Sequence, residues 1–176
     1  MNKPFGVRAL VCAMIFLAGC TVVDRTREVR LDPAAKWVML PMTNHTETPQ
    51  AGLRAEAITE ALLRSSGLVQ LDRYPAALSP DGLFDPAEAK AQEQAMAWAR
   101  AQKARFAVGG SVEEWRYKVG VDGEPAVGLT LSIVDLDTGA VVYAAAGGKS
   151  GWSREALSAV AQKLARELLS GVRLGN

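Results

Sequence analysis

Lys36-Trp37-Val38-Met39-Leu40-Pro41-Met42-Thr43-Asn44 sets the architecture of everything around it. Trp37 to Leu40 is an unbroken apolar run, which suits an inner strand covered on both faces. Pro41 ends that strand, because it has no N–H to give a ladder. Downstream, Thr48 reads as a helix cap with Pro49 at the first helical position, where a missing N–H costs nothing. The helix extends to about Ser66, with Leu53, Ala57, Ile58, Ala61 and Leu62 as its apolar stripe and Gly67 as its left-handed stop. Leu68 to Leu71 then returns as a strand. A strand, a helix and a strand in succession predict parallel neighbours joined by a crossover.

Pro75, Pro80 and Gly82 break the following loop, and Asp85-Pro86-Ala87-Glu88 has the spacing of a capping box. The helix it opens, Pro86 to about Lys103, is rich enough in alanine to lie close on a sheet, with Met96 and Trp98 as its large apolar groups. Phe106, Val108, Val112, Trp115 and Tyr117 read as a strand bent or bulged at Gly109-Gly110. A turn over Gly120 to Pro125 leads to Ala126–Asp135, where Val127, Leu129, Leu131 and Ile133 alternate with smaller or polar residues as a half-buried antiparallel strand does. Asp137-Thr138-Gly139 turns the chain into Ala140–Ala146, completing a meander. Ser153 reads as the cap of a last helix with the stripe Leu157, Val160, Ala161, Leu164 and Leu168, ended by Gly171. The class is therefore α/β: a mixed five-stranded sheet with about three helices packed against it, in the order β-α-β-α-β-β-β-α.

Upstream, Lys3 and Arg8 precede the apolar run Ala9–Leu17, which closes on Leu17-Ala18-Gly19-Cys20. A basic start, a short apolar stretch and small residues before a cysteine describe a lipoprotein signal peptide, too short to span a bilayer. Residues 1–19 are read as that peptide and Cys20 as the acylated mature N-terminus, anchored by several chains together. Thr21, in place of an aspartate, is compatible with transfer to the outer membrane. The charged stretch up to residue 34 has no sustained periodicity and reads as an extended tether. At about 3.3 Å per residue, it would reach roughly 40 Å. Residues 35–176 form a single periplasmic domain.

Loss of the peptide removes Lys3, Arg8 and Cys12, leaving 18 basic against 19 acidic side chains and no partner for a disulfide. Such a balance argues against nucleic acid as a partner. Catalytic chemistry finds little to use. His45 is the sole histidine, in the turn-like Thr43-Asn44-His45-Thr46, and reads as a solvated loop residue. Asp135 and Asp137 share a strand face if the strand continues that far, but beside Gly139 they read as turn formers. Ser150 lacks the G-x-S-x-G elbow, and Gly109-Gly110-Ser111 precedes strand residues rather than a helix N-terminus. The chain reads as no enzyme, with no metal site and no cofactor.

Val38 to Asn44, a helix, then Gly67-Leu68-Val69 resemble the start of the periplasmic fold of TolB N-terminal, CsgG-like and LpoB-like proteins. Gly110-Ser111-Val112-Glu113-Glu114-Trp115-Arg116-Tyr117, then Gly123-Glu124-Pro125-Ala126-Val127-Gly128-Leu129, then Ser150-Gly151-Trp152, together with the lipobox, resemble the PelC family of outer-membrane lipoproteins of Pel exopolysaccharide export. The resemblance implies a homo-oligomeric ring, a dodecamer, lipid-anchored on the periplasmic face of the outer membrane and working with the export porin PelB. It implies a cationic exopolysaccharide gathered by an acidic periplasmic face, and an aromatic belt on the membrane side. Asp122 and Glu124, on a glycine-flanked turn, are the candidates for guiding the polymer, with a plain solvated turn as the alternative. Trp152 is the candidate for membrane contact; equally, with Ser153 as cap, it would form a hydrophobic staple with Leu157. Trp37, Trp98 and Trp115 lie in regular elements and read as packing residues. A lipoprotein regulator of a cell-wall synthase, LpoB-like and monomeric, is the alternative function.

Overall fold

A computed structural model describes residues 21–75, 85–120 and 123–175, with the side chains of 85–89 set aside. The strands are β1 (Thr21–Arg25), β2 (Val29–Leu31), β3 (Trp37–Asn44), β4 (Leu71–Arg73), β5 (Phe106–Tyr117), β6 (Pro125–Asp135), β7 (Val141–Ser150) and β8 (Val172–Leu174). The helices are α1 (Ala51–Ser65), α2 (Asp85–Ala101) and α3 (Leu157–Leu169). The main sheet has six strands in the order β1-β7-β6-β5-β3-β4, and β2 pairs with β8 in a second, two-stranded sheet. β3 is parallel to β4 and β5, while the pairs β5–β6, β6–β7 and β7–β1 are antiparallel. The α/β class, the crossovers and the meander are as the sequence predicts; the sheet has one strand more than the five expected.

The extra strand corrects the reading of residues 20–34 as a tether. Thr21–Arg25 pairs antiparallel with β7, Thr21 opposite Lys149 and Arg25 opposite Ala145, and Val29–Leu31 pairs with β8. Val23 and Leu31 reach the core. Each of these strands is too short to show a period, and its partner lies more than a hundred residues away, so the local sequence carries no sign of the pairing. Residues 1–20 lie outside the described residues.

Of three register shifts in the main sheet, two shape β3 and β5. β3 continues through Pro41 to Asn44, and its register against β5 shifts between Met39 and Met42. The irregularity accommodates a residue that cannot donate to a ladder, and the Pro41 carbonyl accepts from Gln92 Nε2 at 2.9 Å. In β5 the shift lies between Val112 and Glu114, not at Gly109-Gly110. Skipping Glu113 resets the alternation, so that Val112 and Trp115, three residues apart, both enter the core.

α1 starts behind Gln50, which is left-handed with φ 60° and makes no side-chain cap. Thr48 is not the cap: its hydroxyl donates to the Trp115 carbonyl at 2.5 Å. The buried side of α1 holds Ala51, Ala55, Glu56, Thr59, Leu62 and Leu63, while Leu53, Ala57 and Ala61 are exposed. The helix is thus turned from the expected stripe, because Glu56 is drawn inward by Arg73 and by the Met42 amide.

α3 buries Val160, Ala161, Leu164 and Leu168 completely, as its stripe predicts, but begins after Ala156, so Ser153 does not cap it. α1 and α3 cover one face of the sheet. On the other face α2 lays Ala95 and Ala99 against Val38, Leu40 and Ala107, the close approach its alanines allow. The side chains of the Asp85–Glu88 box lie outside the described residues.

Candidate membrane-facing end and assembly surface

The loop from β7 into α3, the turn from β5 into β6 and the start of β1 meet at one end of the sheet. The Gly151 amide donates to the Pro125 carbonyl at 2.8 Å, tying loop to turn, and Lys118 N–H closes the turn on the Glu124 carbonyl at 2.7 Å. Tyr117 Oη accepts from the Leu157 amide at 3.2 Å and donates to the Glu155 carbonyl at 3.4 Å. Thr21 is drawn to the same end: Lys149 Nζ donates to its hydroxyl at 2.6 Å and to Glu167 Oε1 at 2.7 Å.

Trp152 stands 49 % exposed on this end, with Tyr117 at 51 % and Val119 fully exposed. Its loop is rigidly built. The Trp152 amide donates to Glu155 Oε2 at 3.1 Å, the Glu155 amide donates back to the Trp152 carbonyl at 2.9 Å, and Lys163 Nζ donates to Glu155 Oε1 at 2.5 Å. The Lys163 hydrogen bond, followed by that of the Trp152 amide, holds the Glu155 carboxyl below its ordinary value. Because Leu157 opens α3 rather than lying a turn inside it, the staple with Trp152 does not form. Glu124 is exposed beside this loop, and Asp122 lies outside the described residues. Tyr117 and Val119 were not singled out from sequence as surface groups. Their place where a strand runs into a glycine turn was the available signal.

The polar residues considered for chemistry take structural roles. His45 Nδ1 lies 3.1 Å from both oxygens of Glu113, and Ser111 Oγ donates to Glu113 Oε1 at 2.5 Å, so the carboxylate stands between imidazole and hydroxyl. The serine bond is the largest cause of the lowered Glu113 carboxyl. Asp135 Oδ1 accepts the amides of Asp137 at 3.0 Å and Thr138 at 3.4 Å, the turn-forming role its sequence position suggests. Ser150 accepts from Lys118 Nζ at 2.7 Å. Among the described residues no three His, Cys, Asp or Glu groups gather to hold a metal. Two open clefts, of about 330 and 380 Å³, lie against Arg166 and Arg173 and against Arg100 and Arg105. No helix among the described residues is long and apolar enough to cross a membrane.

This fold is that of a class of α/β domains that includes a known lipoprotein: GNA1162 from Neisseria meningitidis is similar with a TM-score of 0.55 at 16 % identity, over 77 % of this chain and 96 % of that one. PelC from Paraburkholderia phytofirmans, solved as a dodecamer, is 39 % identical with a TM-score of 0.75, and a leucine-to-methionine variant, also a dodecamer, is 40 % identical with a TM-score of 0.76. Both comparisons cover 89 % of this chain and 100 % of the solved one. The chain belongs to the PelC family. No protein-family model and no curated protein matches it.

Proposed function

We propose that this protein is a self-assembling, lipid-anchored component of exopolysaccharide export at the outer membrane, passing a cationic polymer toward its porin, PelB. The dodecamers of its relatives support self-assembly and favour this reading over a monomeric regulator of a cell-wall synthase. The observation that carries the orientation is that β1 begins at Thr21, opposite Lys149 and therefore within a few residues of Trp152. One peptide unit spans only about 3.8 Å, so lipid on Cys20 holds this end of the domain directly against the bilayer. Trp152 and Tyr117 suit the headgroup region, each pairing an apolar ring with a polar tip.

On this reading the acidic turn residue Glu124 moves. Glu124 shares an end with Trp152, so with Trp152 toward the membrane Glu124 stands at the membrane-side mouth, where polymer leaves for the porin, and not at the periplasmic entrance. A near-neutral protomer still builds a negative rim there, because assembly repeats each carboxylate around one opening, and a concave mouth focuses the field. The test is export in cells whose own copy is deleted and replaced by the full chain carrying Asp122→Asn with Glu124→Gln. Surface polymer is expected to fall while assembled mass is unchanged. Undiminished export would remove these two side chains from the mechanism.

A further inference from the structure

Two surfaces of the protomer are apolar and lie on opposite sides of it. The first is half of a sheet face. Leu129, Leu131, Tyr143 and Ala145 point into the core beneath α1 and α3, so alternation turns Thr130, Ala144 and Ala146 to the other face. α2 covers the β3 side of that face, over Val38 and Leu40. On the β6–β7–β1 side Val22 is 68 % exposed, Ala146 is exposed, and Thr130 and Ala144 are half-exposed. The second surface is the outer ridge of α1, where Leu53, Ala57 and Ala61 follow one another at four-residue spacing, all exposed.

We propose that the α1 ridge of one copy docks on the open β6–β7–β1 face of the next, and that this contact builds the assembly. The inference rests on the self-assembly reading above. The chain already contains the packing invoked: α2 lays its Ala95–Ala99 ridge on the neighbouring half of this same face. A second alanine ridge beside it would complete the layer, because small side chains on both partners let helix and sheet approach closely. Charge agrees with the pairing. Asp24 edges the open face and Arg54 flanks the α1 ridge, and neither side chain has an ion-pair partner among the described residues. Since the two surfaces are different and face opposite ways, the contact is head-to-tail, the type that propagates from copy to copy and gives a ring where the rotation between copies closes.

The experiment uses the full chain, expressed from Met1 and extracted in detergent, with mass read by light scattering. Ala146→Arg spoils the sheet surface alone, and Ala57→Arg the helix surface alone; both sites are exposed, so thermal midpoints are expected to stay near that of the unaltered chain. Each variant is expected to fall to monomer. An equimolar mixture is expected to form one-to-one pairs and nothing larger, since it keeps one good surface of each kind. As a test of charge rather than packing, Asp24→Arg is expected to weaken assembly and Asp24→Arg with Arg54→Asp to restore it. Single variants that keep full assembled mass, or a mixture that stays monomeric, would overturn this contact and leave the assembly reading standing. A monomeric unaltered chain would overturn both.

Discussion

Glu56 lies on a helix face that the hydrophobic pattern does not select, yet it is only 5 % exposed. Its carboxylate accepts the Met42 amide at 3.0 Å and Arg73 at 2.7 and 3.1 Å. The apolar pattern selects Leu53, Ala57, Ile58, Ala61 and Leu62 as the inner side of that helix; Leu62 is buried and Ile58 half-buried, but the other three are exposed, because Arg73 lies on a separate strand and its pull on Glu56 is not a local property. Arg73→Leu strands a buried charge and is expected to cost about 3 kcal/mol in urea denaturation. Tyr143 gives a pH test. Its hydroxyl donates to the Leu168 carbonyl, and burial is the largest cause of its raised pKa. A folded-state pKa above the unfolded one favours the protonated phenol, so this stabilisation is complete below about pH 10 and lost as pH rises past it. Tyr143→Phe is expected to cost about 1 kcal/mol at neutral pH and to flatten the alkaline fall of unfolding free energy; an undiminished fall would assign it to other groups.

Among the elements, the alternation of Ala126–Asp135 and the stripe of α3 were legible because each period runs long enough within one segment to identify a face. The bulges were not. Gly109-Gly110 suggested an interruption in β5, but Gly110 serves close approach: a Cβ there would overlap the Thr130 carbonyl oxygen of β6. Gly110→Ala is therefore expected to cost about 3 kcal/mol, the upper part of the usual range for overpacking. Gly120, around which a Cβ meets nothing within 4 Å, is the control. Thermal denaturation of Gly110→Ala and Gly120→Ala should separate the two, and equal melting points would refute the steric reading. The true bulge was hinted at by Val112 and Trp115, whose three-residue spacing cannot place both on one face of a regular strand.

At the scale of the whole molecule the proposed lipid anchor on Cys20 has a geometric consequence. With β1 docked on β7, the chain has little slack between Cys20 and the folded body. Inserting about ten Gly and Ser residues between Cys20 and Thr21 adds up to roughly 33 Å of reach without touching any strand. The melting point should not change, while quenching of tryptophan fluorescence by brominated lipid should fall as the Trp152 end is released. Equal quenching with and without the spacer would mean that this end is not seated by its anchor. The candidate site was legible in part: Trp152 and Glu124 were visible as an aromatic and an acid near turns, but their sharing of one end with Thr21 and Tyr117 depends on strand register.

The amino-acid sequence by itself determined the α/β class, the order of helices and central strands, the α3 packing face, the close approach of the alanine-rich α2 and the family resemblance, because these follow from periods, composition and punctuation read within short windows. Only the tertiary structure decided that Thr21–Arg25 and Val29–Leu31 are strands, that α1 turns Glu56 inward, and that Thr21, Trp152 and Glu124 lie at one end. Those outcomes arise from pairings between residues far apart in the chain, and their energies exist only once the sheet has brought the partners together.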